Sequence, residues 1–164
     1  MKKTVTYVEM TDRSRLAPGT PVPGMALIAA EGDLPLVSDV MARIGAPYQW
    51  RSARRGPQEW RAWFVEHPRR TCWLLTLADE PIGAVCYDVH PGGDVEIRTF
   101  GLLPESTGKG LGGHALTLAI RQGWDLVPGV RRVWLHTSSA DNPKALPNYH
   151  RRGFHTFKVE EEDS

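Results

Sequence analysis

The sequence predicts a single α+β domain in which a mixed β-sheet is flanked by helices. Its 164 residues suit one domain with its own core. The hydrophobic fraction of 41% and the charged fraction of 24% are those of a folded chain rather than a disordered one. The third observation is the order of the periodic segments: two strands, two helices, three strands in a meander, then helix, strand, helix and strand.

The first half of the chain contains the two early strands and the first two helices. The predicted elements are a strand over 4–10, a Pro- and Gly-rich loop over 18–24, a strand over 25–30, a helix from about 35 to 45 and a helix over 58–66. Asp33 is the predicted N-cap of the first helix, and Pro57 opens the second. Gly45 and Pro47 end the first helix, so a loop must connect the two.

The second half changes to a meander followed by alternating helices and strands. The predicted elements are strands over 72–77, 82–89 and 95–103, a helix after a glycine-rich turn, a strand over 132–137, a helix over 143–151 and a strand over 155–160. The helix after the turn carries Leu111, Ala115 and Leu118 on one face, as an amphipathic helix does. The acidic end, Glu160–Asp163, is interpreted as a solvated tail.

The composition excludes several classes of partner. A formal net charge of +1 gives no reason to expect nucleic acid or an anionic membrane surface. No apolar run is long enough to cross a bilayer, and we therefore expect a cytoplasmic protein. The only two cysteines, Cys72 and Cys86, lie in apolar runs and are interpreted as buried thiols rather than a disulfide. The six histidines show no metal-binding spacing, so no metal is expected.

The glycine-rich turn is the segment that points to chemistry. Gly108, Gly110, Gly112 and Gly113 follow a predicted strand and open a predicted helix. Glycine lacks a Cβ, so several N–H groups can point at one spot while a ligand approaches the backbone closely. The start of a helix adds unpaired donors and a partial positive charge. The turn therefore predicts a site for a phosphate or pyrophosphate, with a flexible turn that binds nothing as the alternative.

Two common phosphate-binding loops do not account for this turn. The nucleoside-triphosphate loop needs Gly-Lys-Ser/Thr, whereas Lys109 is followed by Gly110. Gly108, Gly110 and Gly113 do have the spacing of a dinucleotide-binding fingerprint. They follow a β-meander, however, and no acidic residue closes a strand about twenty residues later, as that fingerprint requires.

The stretch from Thr107 to Gly112 resembles the coenzyme-A-binding turn of the GCN5-related N-acetyltransferase superfamily, Arg/Gln-x-x-Gly-x-Gly/Ala. Thr107 stands where that family usually has Arg or Gln. A second block, 142–154, resembles the family's Asn-x-x-Ala-x-x-x-Tyr-x-x-x-Gly-Phe. The residues in register are Asn142, Ala145, Tyr149, Gly153 and Phe154. The resemblance covers about 25–160 of one domain spanning 1–164, and residues 4–24 resemble an added strand and loop.

This resemblance implies an acyl-CoA N-acyltransferase fold, with a mostly antiparallel sheet and splayed strands where pantetheine of acetyl-CoA lies. The implied backbone contacts to pantetheine come from Phe100 and Leu102. Those implied for the pyrophosphate come from Thr107, Gly108, Lys109, Gly110, Leu111, Gly112 and Gly113. Asn142 is either a contact to a cofactor amide or the N-cap of its helix. Thr107 removes a long side chain but keeps its backbone donor, so we expect weaker binding rather than none.

The resemblance also implies two catalytic residues. Glu96 lies fourteen residues before Gly110, where histone acetyltransferases of the family place a general base. The alternative is a glutamate solvated at a strand edge, with Asp94 and His136 as other candidate bases. Tyr149 matches the family tyrosine that protonates the departing thiolate, and the alternative is a ring that only packs on the sheet.

The predicted function is acetyl transfer from acetyl-CoA to an amine of a small molecule or peptide. The acceptor would be bound by the loop and second helix over 46–63, with Trp60, Trp63 and three arginines, Arg51, Arg54 and Arg55. These aromatic residues are equally interpreted as core beside a solvated basic loop. A non-catalytic acyl-CoA-binding module and transfer of a longer acyl chain remain alternatives, and a homodimer is left open.

Overall fold

The computed structural model describes residues 2–30, 34–48, 50–68 and 70–163. Asp33, the predicted N-cap, lies outside the described residues. The strands are β1 Lys2–Met10, β2 Met25–Ala29, β3 Arg70–Leu77, β4 Glu80–His90, β5 Asp94–Leu102, β6 Arg132–Ser138 and β7 His155–Asp163. The α-helices are α1 Leu34–Gly45, α2 Pro57–Glu66, α3 Gly112–Asp125 and α4 Ala145–Arg151. The predicted order of strands and helices is confirmed, and the chain has the α+β class expected from its sequence.

All seven strands form one sheet in the order β2-β3-β4-β5-β6-β1-β7. Every neighbouring pair is antiparallel except β5 and β6, which are parallel. The N-terminal strand β1 lies in the interior of this sheet, paired with β6 on one side and β7 on the other. Periodicity predicted this strand but could not place it, because strand neighbours are set by contacts distant in sequence.

The parallel pair is where the sheet opens. β5 and β6 are in register only from Asp94 to Glu96, opposite Arg132 to Trp134. Beyond this point the two strands separate, while β5 continues to pair with β4 as far as Leu102. A bulge in the β4–β5 pairing, between Cys86 and Tyr87, falls in the same region and locally bends the strands. The splayed strands implied by the family resemblance are therefore present.

Helices cover both faces of the sheet, and each face has its own core. On one face α3 and α4 pack on buried sheet residues such as Val85, Val133 and Leu135. On the other, α1 packs Val37, Met41 and Ile44 against Ala84 and Cys86. None of the described helices is long and apolar enough to cross a membrane.

The prediction of two free thiols is wrong, because Cys72 and Cys86 form a disulfide. They are directly opposed across the β3–β4 pair, with Cα atoms 4.1 Å apart. Both side chains lie on the face covered by α1, as their apolar surroundings predicted. Strand register brought the two sulfur atoms together, and register is not readable from two isolated apolar runs.

The acidic end was predicted to be a solvated tail. It is exposed as predicted, but it forms a strand. Glu160 to Asp163 belong to β7 and pair with β1, where Lys2 lies opposite Asp163. Their side chains are mostly exposed, and Glu160 accepts from Lys158 at 2.6 Å. The segment is therefore an edge strand rather than a tail.

Candidate active site

The glycine-rich turn connects the end of β5 to the start of α3. Gly108 and Gly110 have φ angles of +72° and +75°, a conformation that other residues rarely adopt. Apart from its chain neighbours, no described residue has an atom within 4 Å of the position that a Cβ would take on either glycine. The turn thus needs these two glycines for its backbone conformation, and the space before them is open.

A cleft of about 390 Å³, here called the glycine-turn cleft, lies against this turn and the end of β5. The predicted cofactor-binding residues that line it are Phe100, Leu102, Thr107, Gly108, Gly110, Leu111, Gly112, Gly113 and Asn142. Lys109 is exposed and does not line the cleft. Asn142 also accepts a hydrogen bond at Oδ1 from the backbone N–H of Lys144 at 2.9 Å, so it orders the turn before α4 while facing the cleft.

Three basic side chains line the glycine-turn cleft: Lys144, Arg151 and Arg152. None of them has an ion pair with any residue in the described ranges. Asp141 is the one acidic residue in the lining. The cleft therefore presents an excess of positive charge, which suits a ligand with several phosphate groups.

Arg152 is a residue that the motif comparison missed. Its Nη1 atom lies against the first turn of α3, only 2.6 Å from where a Cβ on Gly113 would be. Its Nε is buried and has no hydrogen-bond partner among the described residues. A guanidinium at the positive end of a helix is electrostatically unfavourable unless an anion joins it. Arg152 occupies the position before Gly153 in the second block, where the family pattern specifies no residue type.

A second cleft of about 250 Å³, here called the β5–β6 cleft, follows the gap between the separated strands. Its lining is Trp50, Ile97, Arg98, Thr99, Phe100, Leu135, His136, Thr137, Ser138, Asp141 and Tyr149. The residues that line both clefts are Trp50, Phe100, Thr137, Asp141 and Tyr149. The two clefts meet at these side chains, so molecules bound in each would come together there.

Asp141 joins the loop after α1 to the loop after β6 at this meeting point. Its Oδ1 accepts a hydrogen bond from Trp50 Nε1 at 2.9 Å. Its Oδ2 accepts from Thr137 Oγ1 and from the Ser138 backbone N–H, each at 3.0 Å. The Asp141 carboxylate therefore accepts three hydrogen bonds, and the one from Trp50 holds that ring over the junction.

Tyr149 lies at the same junction, on α4. It is 6% exposed, and its ring contacts Phe100 and Phe154 edge to face, with centroids 6.5 and 6.1 Å apart. Burial, and to a smaller extent the charge of Asp141, raises the pKa of Tyr149 above its ordinary value of 10.0. The phenol is therefore neutral and holds its proton where the two clefts meet.

Glu96 is buried, at 4% exposure, rather than solvated at a strand edge. Its Oε1 lies 3.0 Å from His90 Nε2, and its Oε2 accepts from Arg98 Nη1 at 3.4 Å. Glu96 is absent from the lining of both clefts, although its neighbour Arg98 lines the β5–β6 cleft. Of the other candidate bases, His136 lines that cleft, whereas Asp94 is bonded to Arg132 at 3.3 Å.

Asp88, His90 and Glu96 place one potential metal-ligand atom each within 4.8 Å of one another. Two arginines bind this group: Arg70 donates to both oxygens of Asp88 at 2.6 and 2.8 Å, and Arg98 donates to Glu96. Burial alone would raise the pKa of Asp88, but the hydrogen bond and charge of Arg70 lower it below the ordinary value. The carboxylates thus already have cationic partners, and the absence of a metal stays a prediction.

The aromatic residues proposed for acceptor binding divide into two sets. Trp60 is 3% exposed and packs with Trp63 in the core under α1, and the guanidinium of Arg55 lies over both rings. Trp60 is therefore a core residue, and the partly buried Trp63 packs against the same core. Tyr48 and Trp50 line the clefts instead, and Gln49 between them lies outside the described residues.

Comparison with known proteins adds the family. The sequence profile of the acetyltransferase (GNAT) family matches residues 38–154, which is more than half of the chain. A comparison with curated proteins gives no match.

Several solved structures share the fold at low sequence identity. A GCN5-related N-acetyltransferase from Kribbella flavida aligns with a TM-score of 0.66 and 18% identity over 95% of this chain and 55% of that one. A GCN5-related N-acetyltransferase from Sphaerobacter thermophilus aligns with a TM-score of 0.71 and 16% identity, over 98% of this chain and 51% of that one. The spermidine N-acetyltransferase of Vibrio cholerae, a dodecamer, aligns with a TM-score of 0.58 and 19% identity, over 82% of this chain and 81% of that one.

The chain spans about half the length of the first two of these structures. The fold that they share with this chain agrees with the profile match over residues 38–154. On this evidence the chain belongs to the GNAT family of acetyltransferases.

Proposed function

We propose that the chain transfers an acetyl group from acetyl-CoA to the amine of a small molecule or peptide. The observation that carries this proposal is the meeting of the two clefts at Tyr149. The glycine-turn cleft suits the cofactor, and the β5–β6 cleft suits the acceptor. Acetyl-CoA supplies a thioester, whose acyl carbon gains a bond to the amine nitrogen as its bond to sulfur breaks, leaving an amide and free coenzyme A.

The residues of the glycine-turn cleft fit coenzyme A. Gly108 and Gly110 leave open space at the turn, and Arg152 has a buried Nε without a partner. Both features suit the pyrophosphate, and Lys144 and Arg151 add charge for further phosphate groups. Beyond Glu96, β5 has no strand partner on its β6 side, so the backbones of Phe100 and Leu102 are available to pantetheine.

Two proton transfers accompany the reaction, and the chain offers a group for each. The neutral phenol of Tyr149 is positioned to protonate the departing thiolate. Glu96 is the proposed base, taking the amine proton through a water molecule. Its carboxylate accepts hydrogen bonds from His90 and Arg98, which fix the orientation of the group. His136 is the alternative base, because it lines the β5–β6 cleft directly.

A screen of amine acceptors tests this function by following free thiol released from acetyl-CoA. We expect steady release that depends on one class of acceptor and yields the acetylated amine. Binding of acetyl-CoA without release for any acceptor would favour a non-catalytic acyl-CoA-binding module. Faster release from a longer acyl-CoA would correct the donor and leave the reaction class unchanged.

A further inference from the structure

The β5–β6 cleft is lined by basic side chains that still have free hydrogen-bond donors. The carboxylate that lines it already accepts hydrogen bonds. The residues that line this cleft and not the glycine-turn cleft are Ile97, Arg98, Thr99, Leu135, His136 and Ser138. Two of them are basic, two carry hydroxyl groups, and none is acidic. This is the part of the lining that an acceptor would contact away from the cofactor.

Each carboxylate around the cleft is already engaged. Asp141 accepts three hydrogen bonds, from Trp50, Thr137 and Ser138. Glu96 is buried beneath contacts from His90 and Arg98. At the outer edge, beyond His136, Glu160 accepts from Lys158 at 2.6 Å and from Tyr7 at 3.2 Å. Among the described residues that line this cleft, a second ammonium group on an acceptor would therefore find no carboxylate that lacks hydrogen-bond donors.

Arg98 is in the opposite situation. Its side chain is 46% exposed, and its contact with Glu96 runs through Nη1 alone at 3.4 Å. That distance exceeds the roughly 2.7–2.9 Å of a strong charge-assisted bond. The nearby Asp88 is bound by two nitrogens of Arg70 and feels the charge of Arg98, but Arg98 donates no hydrogen bond to it. The guanidinium thus keeps donors that can bind a carboxylate or phosphate in the cleft.

We infer that the acceptor is an amine that also carries an anionic group, which Arg98 binds with His136 beside it. This inference rests on the proposed function and specifies its substrate class. The anionic group lies in the β5–β6 cleft, and the amine reaches the junction at Tyr149. Acceptors that carry only further ammonium groups, such as polyamines, are disfavoured because they would place like charge beside Arg98.

Matched acceptor pairs that differ only in a carboxylate test the inference: tyrosine against tyramine, and ornithine against putrescine. We expect kcat/KM to be at least about tenfold higher for the acid of each pair, the size of one charge-assisted contact. Arg98→Gln should bring the ratio close to one. Arg61→Gln, at an exposed arginine on α2, is the control and should leave the ratio unchanged.

Calorimetry of the same pairs with coenzyme A present provides a readout that does not need turnover. Equal or weaker binding of the acids would overturn the inference, as would a preference that survives in Arg98→Gln. Acetylation of tyramine and putrescine in preference to the acids would overturn it and leave acetyl transfer intact. Failure of the proposed function itself is distinguishable, because no acceptor would then release thiol from acetyl-CoA, whether or not acetyl-CoA binds and raises the melting temperature of the protein.

Discussion

At the scale of single residues, Tyr149 has the clearest assignment because it is buried, neutral and common to both clefts. Tyr149→Phe keeps the ring contacts to Phe100 and Phe154 and removes only the proton donor. We expect kcat to fall by roughly 10²–10⁴ while the Kd for acetyl-CoA stays within about twofold.

The pH dependence of this loss has a definite sign. The raised pKa of Tyr149 keeps the phenol protonated at neutral and moderately alkaline pH. The ratio of wild-type to variant kcat should therefore stay constant with pH, without the decline that an ionising acid would cause. An unchanged kcat, under conditions in which chemistry is shown to limit the rate, would remove Tyr149 from the mechanism.

Glu96 and His136 compete for the role of base, and one pair of variants separates them. Glu96→Gln should lower kcat/KM most at low pH, where the acceptor amine is protonated, and less as free amine accumulates. The expected loss at neutral pH is roughly 10²-fold or more. His136→Asn should change it much less. The reverse ranking in the same pH–rate profiles would move the base role to His136, the residue that lines the cleft directly.

The family usually has Arg or Gln at the position of Thr107. We predict that Arg152 makes the contact to the cofactor that this longer side chain would otherwise make. Arg152→Gln should weaken coenzyme A binding about tenfold, since one charge-assisted contact to the pyrophosphate is lost. Pantetheine lacks the pyrophosphate, so its affinity should not change. Without ligand, the free energy of unfolding of Arg152→Gln should not be lower than that of the wild type. The reason is that the variant removes a positive charge from the positive end of α3. Equal losses for both ligands in calorimetry would show a structural role instead.

At the scale of elements, the glycine turn gives a prediction with a matched control. Gly110→Val must adopt a left-handed backbone conformation, which costs roughly 1–2 kcal/mol, and it places methyl groups in the open space before the turn. We expect coenzyme A affinity to fall at least about tenfold. Gly129→Val carries the same backbone cost, with φ of +76° and open surroundings, in a turn that lines neither cleft.

The two glycine variants should therefore lose similar stability in thermal unfolding, while only Gly110→Val loses cofactor affinity. If both variants bind coenzyme A like the wild type, this turn does not hold the phosphates. If both lose affinity, the effect is one of stability and not of the site.

Local signals explain which elements were predictable. The strand and helix order followed from periodicity, and the turn followed from Gly108 and Gly110, whose backbone angles no other residue adopts easily. The Cys72–Cys86 disulfide and the interior position of β1 depend on strand neighbours and register. Those are properties of pairs of segments, which one segment's pattern does not contain.

At the scale of the whole molecule, the candidate site forms where two neighbouring strands of the sheet separate. β5 and β6 part after three residue pairs, and the two clefts meet in the resulting gap. The two sequence motifs named residues most of which line the glycine-turn cleft, and their role in binding the cofactor stays a prediction. The resemblance missed Arg152 and the bond from Trp50 to Asp141, because both depend on contacts between segments that lie far apart in the sequence. It also assigned Trp60 and Trp63 a possible role in acceptor binding, whereas Trp60 is buried in the core, Trp63 packs against it, and neither lines a cleft.

We propose that an acetyl group moves from thioester to amine at the junction of the two clefts. The most direct measurement mixes the protein with acetyl-CoA labelled in its acetyl carbonyl carbon and a set of amines, and follows the label by mass spectrometry. We expect label on the amine nitrogen of one acceptor class, with many turnovers per protein and a strong loss in Tyr149→Phe. Label that stays on coenzyme A with every acceptor, while acetyl-CoA demonstrably binds, would contradict it.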